Sequence, residues 1–411
     1  MSSRKAAIEI IRRLCENGFE ALLAGGCVRD MLLGRRANDY DVATTARPEQ
    51  VTALFKRTLQ VGAKFGVVIV MMDNEQVEVA TFRTESGYAD GRHPQNVEFA
   101  HAKEDADRRD FTINGMFFDP IENRVIDYVQ GQRDLEKRII RTIGPADERF
   151  GEDYLRMLRA VRFSAQLGFE IEPATWAAIA ENAGKIKKIS GERISTELEG
   201  ILCNPNRRQG ASMLVESGLA GGIFPGISDD LIEEGICALG HLRKNVDFAL
   251  ALAAFFVGFE ADFALEKCEI IKPSRNQMKE IAFLLENRGR LLDPELSLAQ
   301  LKLLLAKPYF WNLFELQRAI QKSLPSERSR MSALIKLRRR IRDLRGVDVK
   351  PKPLLNGHDL MKLGAPAGPA LGQLAEEMYI AQLEGILKNC HDAEQWTLKW
   401  IDKHKQNEGN F

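Results

Sequence analysis

The feature that most constrains this chain is a change of pattern near Gly144. Before it, short β-rich runs alternate with glycine turns and brief helices. From about residue 150 onward the periodicity is helical, with almost no strand pattern. A chain divided in this way is expected to fold as α+β, with a sheet-bearing head followed by an elongated all-α neck, body and tail. Proline and glycine breaks at Asn204-Pro205, Lys272-Pro273, Lys307-Pro308 and Lys350 to Pro353 punctuate the helical part. The expected divisions are head 1–141, neck 142–205, body 206–330 and tail 331–411.

Within the head, FEALLAGG ends a strand in a glycine turn, and NDYDVATTA reads as a second strand. PEQVTALFKR, opened by Pro48, is a short helix. VVIVMMDNEQVEVATF is a hairpin around Asp73-Asn74-Glu75, and FDPIENRVIDYV is another with its turn near Glu122-Asn123. Residues 84 to 106 are polar, with Gly and Pro, and are expected to be mostly loop.

Charge narrows the partners. The 58 basic and 58 acidic residues cancel, which argues against a chain held to RNA by bulk charge. Local patches remain available. In LIKLRRRIRDLRG, arginines that include Arg338, Arg339 and Arg342 surround Leu334, Ile335, Leu337, Ile341 and Leu344. That segment is either a solvated helix face or a surface for RNA phosphates. The six cysteines form no CxxC pair, which suits a reducing cytoplasm and excludes a zinc ribbon. MSSRKAAIEIIRRL reads as an amphipathic helix without a signal-peptide core, and no apolar run is long enough for a membrane span. Cytoplasmic localisation is expected, with no membrane and no obligate protein partner.

Two short patterns in the head carry chemistry. In LLAGGCVRD, Gly25 and Gly26 join a strand to a helix and let backbone N–H groups approach a phosphate; Arg29 offers a forked grip. In NDYDVAT, Asp39 and Asp41 stand two apart on the expected strand, so both side chains emerge on one face. Adjacent carboxylates repel unless a cation lies between them, and Mg²⁺ prefers such oxygen ligands with water and substrate phosphates. Glu78 in VEVATF supplies a third acid, flanked by Val77 and Val79 pointing the other way. On the DxD pattern alone, a solvated pair of acids at a strand end reads as well.

The order of these pieces carries a resemblance. LLAGGCVRD, NDYDVAT, VEVATFR, RRDFTIN, DYVQGQRDL, GEDYLRMLRAVRFSAQLGFEI and ERISTELEGIL together resemble the class II tRNA nucleotidyltransferase and bacterial poly(A) polymerase family, strongly over residues 20 to 205. The resemblance implies a polymerase-β-like nucleotidyltransferase head. It implies that Asp39, Asp41 and Glu78 are catalytic, with Asp39 and Asp41 on Mg²⁺. It places Arg109 on the triphosphate, with Asp110 and Asn114 near the ribose. Glu192 and Arg193 match a motif shaping the nucleotide pocket, and GYADGRHP, with Arg92 and His93, matches a mobile element. Where the family has alanine after RRDFTIN this chain has Gly115, expected to be tolerated while loosening a helix end. Val257-Gly258 stand where an HD dyad would follow an apolar run, so no phosphohydrolase is expected.

The stretch EDYLRMLRAVRF is the most specific. Residues three apart neighbour each other on a helix face, so Asp153 and Arg156 can present an acceptor and a forked donor together. Cytosine and adenine each offer an amino donor beside a ring-nitrogen acceptor. Uracil and guanine offer a carbonyl where the amino group would be, and an N–H beside it. An ionised aspartate only accepts and an arginine only donates, so the pair fits C and A and refuses U and G. The resemblance assigns nucleotide choice to the same positions. Arg159 and Arg162 continue the ridge and are expected to face phosphates or the head, while Leu155, Leu158 and Val161 pack inward. The function implied is template-independent CCA addition to the tRNA 3′ end from CTP and ATP. Narrower A-adding or CC-adding enzymes, a poly(A) polymerase, and an inactive RNA-binding module are the alternatives.

Overall fold

The structure, a computed structural model, describes residues 2–59, 66–88, 94–325 and 328–408. Its contacts divide the chain into two compact units, Met1–Asp230 with Glu266–Pro273, and Leu231–Leu265 with Ser274–Phe411.

The first unit opens with α1 (Ser3–Glu16). Its Ala6, Ala7, Ile10, Ile11 and Leu14 recur at helical spacing and are buried. Seven strands form the sheet: β1 (Ala21–Ala24), β2 (Asp41–Thr44), β3 (Thr58–Leu59), β4 (Val67–Met72), β5 (Glu75–Thr81), β8 (Phe117–Asp119) and β9 (Arg124–Ile126). Their spatial order is β3-β4-β5-β2-β1-β8-β9. Within this seven-stranded sheet the parallel pair is β2 with β5, in a register that sets Val42 against Val79. That register brings Asp41 beside Glu78. The antiparallel β1–β2 pairing sets Ala24 against Asp41, so the turn at Gly25 lies next to the same carboxylate. Leu22, Ala24, Ala43 and Phe117 on one face of the sheet pack on Phe82, Ala102 and Ala106.

Both expected hairpins form, with the left-handed backbone their turns require at Asp73 (φ 54°) and Asn123 (φ 51°). The expected loop over 84–106 is instead largely a third hairpin, β6 (Arg83–Tyr88) paired with β7 (Pro94–Phe99), followed by a short helix, α4 (Ala102–Asp107). Its strands are polar, so ladder hydrogen bonds form without the apolar alternation that would reveal them. Arg92 and His93 lie outside the described residues.

Two short helices, α2 (Gly26–Leu32) and α3 (Pro48–Leu54), follow β1 and β2. Beyond the sheet come α5 (Gly131–Lys137), α6 (Ala146–Glu152), α7 (Leu155–Leu167), α8 (Pro173–Asn182) and α9 (Gly191–Leu202). Leu155, Leu158 and Val161 of α7 are buried as expected. Gly115 stands at the end of the 3₁₀ turn Thr112–Asn114. It marks a close approach, since a Cβ there would lie 2.6 Å from Val129 Cγ2 and 2.9 Å from Ile143 Cδ1.

The second unit is helical. Phe248–Phe255, apolar on every side, is buried throughout. Another cluster gathers Leu360, Leu374, Met378, Leu387, Trp400 and Ile401. Among the described residues no helix is long and apolar enough to cross a membrane.

Candidate active site

A cavity of about 520 Å³ opens in the first unit at the ends of β1, β2 and β5. Asp41 and Glu78 stand on its floor, Gly25, Gly26 and Arg29 on one side, and Arg108, Arg109, Asp110 and Asn114 on another. Asp153, Arg156, Arg159 and Arg193 complete the wall. Residues spread over 170 positions of chain therefore share one space.

The carboxylates are under electrostatic pressure. Val77 and Val79 are buried while Glu78 is exposed, the alternation expected of β5. Desolvation first, then repulsion from Glu78 and Asp39, pushes the Asp41 carboxyl up to about 6 against the pull of Arg109. One expectation needs correction: β2 begins at Asp41, and Asp39 precedes the strand. The two-residue spacing therefore does not put both acids on one strand face. Asp39 lines an adjoining cavity of about 460 Å³, with Asp41 at the boundary of both. Among the described residues no three His, Cys, Asp or Glu side chains close on a single point. The donor set still fits a hard divalent cation. Mg²⁺ is commonly held by one or two carboxylates with water and substrate phosphates, and a cation there would relieve the repulsion on Asp41.

The arginines are not loose. Burial alone would push Asp105 up, but the guanidiniums of Arg109 and Arg108 outweigh it and hold the carboxyl below its ordinary range. Arg108 Nη2 reaches Asp105 Oδ1 at 2.7 Å and Arg109 Nη2 reaches Oδ2 at 2.9 Å. One buried carboxylate thus aims two cationic side chains. Arg109 also donates to the Asn114 carbonyl and lies 4.9 Å over the Phe117 ring. Gly25 makes room for it. Its φ is +74°, and a Cβ there would stand 2.9 Å from Arg109 Nη1. Arg29 is buried, donating to Asp30 Oδ1 at 2.9 Å and to Asn114 Oδ1 at 2.8 Å. Asn114 in turn donates to Asp110 Oδ1.

The expected reading pair is brought to the cavity, though not on one helix. Asp153 falls in the break between α6 and α7, where its Oδ1 accepts from the Leu155 N–H at 3.0 Å. Arg193 of α9 grips it through Nη2 to Oδ2 at 2.6 Å. Arg156, the second residue of α7, is held by Glu152, with a further bond to the Arg149 carbonyl. Arg159 pairs with Asp110 at 2.7 Å, and Arg162 with Glu197 at 2.6 Å. Burial would raise Asp110, but Arg159 outweighs it and holds the carboxyl low. Arg162 does not line the main cavity; it borders the adjoining one.

Sequence reading missed Asp105, Glu152 and Glu197. The only signal was negative: every arginine in this pocket needs an acid, and an acid stood within four residues of Arg156 and of Arg109. Glu197, 35 residues from Arg162, had no local signal. The tail arginines Arg338, Arg339 and Arg342 are exposed on the helix Met331–Asp343 of the second unit, anchored by buried Leu334 and Leu337. Ile335, expected among the packed apolar residues, is 52% exposed.

A mixed sheet presenting carboxylates to an arginine-walled cavity defines the head of a nucleotidyltransferase. Residues 21–141 match the family model described as the poly A polymerase head domain, and residues 168–231 match that of the probable RNA and SrmB-binding site of polymerase A. The CCA-adding enzyme of Lactobacillus johnsonii is 34% identical over 398 residues, 93% of this chain and 94% of that protein. The crystal structure of the Bacillus stearothermophilus CCA-adding enzyme in complex with CTP aligns with a TM-score of 0.82 at 31% identity, covering 99% and 100% of the two chains. The Thermotoga maritima CCA-adding enzyme complexed with tRNA_CCA shares the fold, with a TM-score of 0.68 at 20% identity over 97% and 95% of the chains. This chain belongs to the CCA-adding enzyme family.

Proposed function

We propose that this protein adds C, C and A in turn to the tRNA 3′ end, taking nucleotides from CTP and ATP and releasing pyrophosphate. The observation that carries the reading is the meeting of Asp153 and Arg156 with Asp41 and Glu78 in one cavity. Base choice and chemistry then share a single site in a chain of this family.

In this reading the nucleotide's triphosphate lies along the Gly25-Gly26 turn, between Arg29 and Arg109. Asp110 and Asn114 stand near the ribose. The base edge faces Asp153, which accepts from the amino group of C or A, and Arg156, which donates to the ring nitrogen beside it. Arg193 and Glu152 hold the two in place, so little rotamer freedom is lost on binding. A carbonyl facing Asp153, or an N–H facing Arg156, would leave a charged group unpaired, at about 1–3 kcal/mol for each. Arg159 secures Asp110, and Arg162 supports the same helix from the adjoining cavity. Asp39 and Asp41 would hold Mg²⁺, with Glu78 as a third acid beside them. When bound, the ion would supply Lewis-acid charge at the attacking 3′-hydroxyl and the departing pyrophosphate.

The four-part division at 141, 205 and 330 belongs to the same reading: head for catalysis, neck for nucleotide choice, a helical body, and a tail for tRNA contact through Arg338, Arg339 and Arg342. A cytoplasmic enzyme follows from its tRNA substrate and scattered cysteines.

The test supplies tRNAs ending before CCA and after CC, and an unstructured RNA, with CTP and ATP given separately and together. The expected result is CTP incorporation into the first, ATP into the second, CCA completion with both, and neither into the unstructured RNA. A-only, CC-only or indefinite A tailing would replace this reading by one of the narrower activities.

A further inference from the structure

We infer that Trp311 is a stacking platform for an open base face of tRNA, with arginines beside it that take the neighbouring phosphates; the inference rests on the reading of this chain as a tRNA-acting enzyme. Trp311 lies on the helix Phe310–Ser323 and is 57% exposed, whereas the other three tryptophans are buried or half-buried. Phe310 and Phe314 meet the indole edge-on, with ring centroids at 5.4 and 6.2 Å. They fix the plane of the ring while its surface stays open. The indole borders a groove of about 540 Å³ shared with Ile335, Arg338, Arg339, Arg342 and Arg345.

Those four arginines are exposed, and none has an acid partner among the described residues. Arg340, on the same helix, is different: it donates to the Leu296 carbonyl. Leu334 and Leu337 anchor the helix, which turns the free guanidiniums outward. A second copy of this chain would bring the same four positive charges against these, a like-charge contact that is costly. Cations grouped around an aromatic face match nucleic acid, where guanidiniums take phosphates and the ring stacks on a base. The flank of a duplex hides its base faces, so the ligand must show phosphates together with an unpaired base or the end of a helical stack. A folded tRNA offers both.

The test uses the full-length protein and tRNA lacking its 3′ CCA. Trp311→Ala should weaken the Kd for tRNA by roughly 5- to 100-fold, as expected for loss of one stacked base. Trp311→Phe should keep most of the affinity. CTP incorporation at saturating tRNA should proceed at the same kcat in both. Titrating tRNA into the intact protein should quench tryptophan fluorescence, and the quench should vanish in Trp311→Phe, a readout independent of whether Trp311→Ala folds. The Arg338→Ala, Arg342→Ala double variant should lower the slope of log affinity against log salt by about 1–2. An unchanged Kd in Trp311→Ala overturns the inference while CCA addition by the intact protein stands. So does an unchanged Kd with loss of a dimer on sedimentation, which would make this face a contact between copies. Failure of the intact protein to bind tRNA at all overturns the parent reading with it.

Discussion

Two sets of arginines divide the labour in this molecule. Around the nucleotide cavity nearly every guanidinium is held by a nearby carboxylate: Arg29 by Asp30, Arg108 and Arg109 by Asp105, Arg156 by Glu152, Arg159 by Asp110, Arg193 by Asp153. On the helix Met331–Asp343 and just past its end, Arg338, Arg339, Arg342 and Arg345 have no such partner among the described residues. The difference fits the two roles proposed for them. A paired arginine gives up rotamer freedom and net charge in exchange for a fixed donor direction, which a site that distinguishes bases requires. A free arginine keeps its charge and mobility, which suffices to hold a phosphate backbone without reading it. The chain's neutral total conceals this contrast.

The comparison can be broken at several points. The largest effect is expected at the floor of the cavity: Asp41→Ala should cut CTP incorporation on the order of 10³-fold or more, with tRNA affinity preserved in a filter-binding assay. Next is the partner acid. Asp105→Ala leaves two guanidiniums without their carboxylate and should destabilise by about 2–3 kcal/mol in urea unfolding. That is less than for a fully buried pair, because both arginines remain 19% exposed. The same variant should raise the KM for CTP by about tenfold or more, as Arg109 loses its direction. Removing a free arginine should do less. Arg339→Ala should weaken tRNA binding by only about 2- to 5-fold, an effect that fades at high salt and leaves the KM for CTP alone.

The smallest effect is a shape in the pH dependence. The carboxyls of Asp105 and Asp110 are held below their ordinary values in the folded protein. Their stabilisation is therefore complete above the unfolded carboxylate pKa near ~4 and is lost as pH falls through the lower folded values. Stability measured by denaturation should decline below about pH 4, and Asp105→Asn should flatten that decline. A variant at the free arginines should leave it unchanged.

Much of the site was legible because its residues sit in contiguous motifs whose chemistry is local. The GG turn, the acids Asp41 and Glu78, and the pair Asp153 and Arg156 all reach one cavity. What stayed hidden is what depends on folding at a distance. Glu197 meets Arg162 only because α9 packs beside α7. Arg193 reaches Asp153 from 40 positions away, so a motif match marked it without revealing its partner. The strand expected from NDYDVATTA begins three residues later, at Asp41, the first residue to pair with β1; Asn38 and Asp39 are turn-forming residues that the strand pattern overrode. The β6–β7 hairpin was hidden by polar strands that lack an apolar face. Trp311, in the run YFWNLF, carries no local signal of exposure; the fold buries Phe310 and Leu313 beside it and leaves the indole open.

The central claim is that Asp153 and Arg156 choose the base. It is tested most directly by single-turnover incorporation into tRNA lacking CCA, with each of the four nucleotides supplied alone, for the intact protein and for Arg156→Ala. Loss of one charged hydrogen-bond donor should reduce discrimination against UTP and GTP by about 10- to 100-fold relative to CTP. Unchanged selectivity in a variant that still adds CTP would contradict the account.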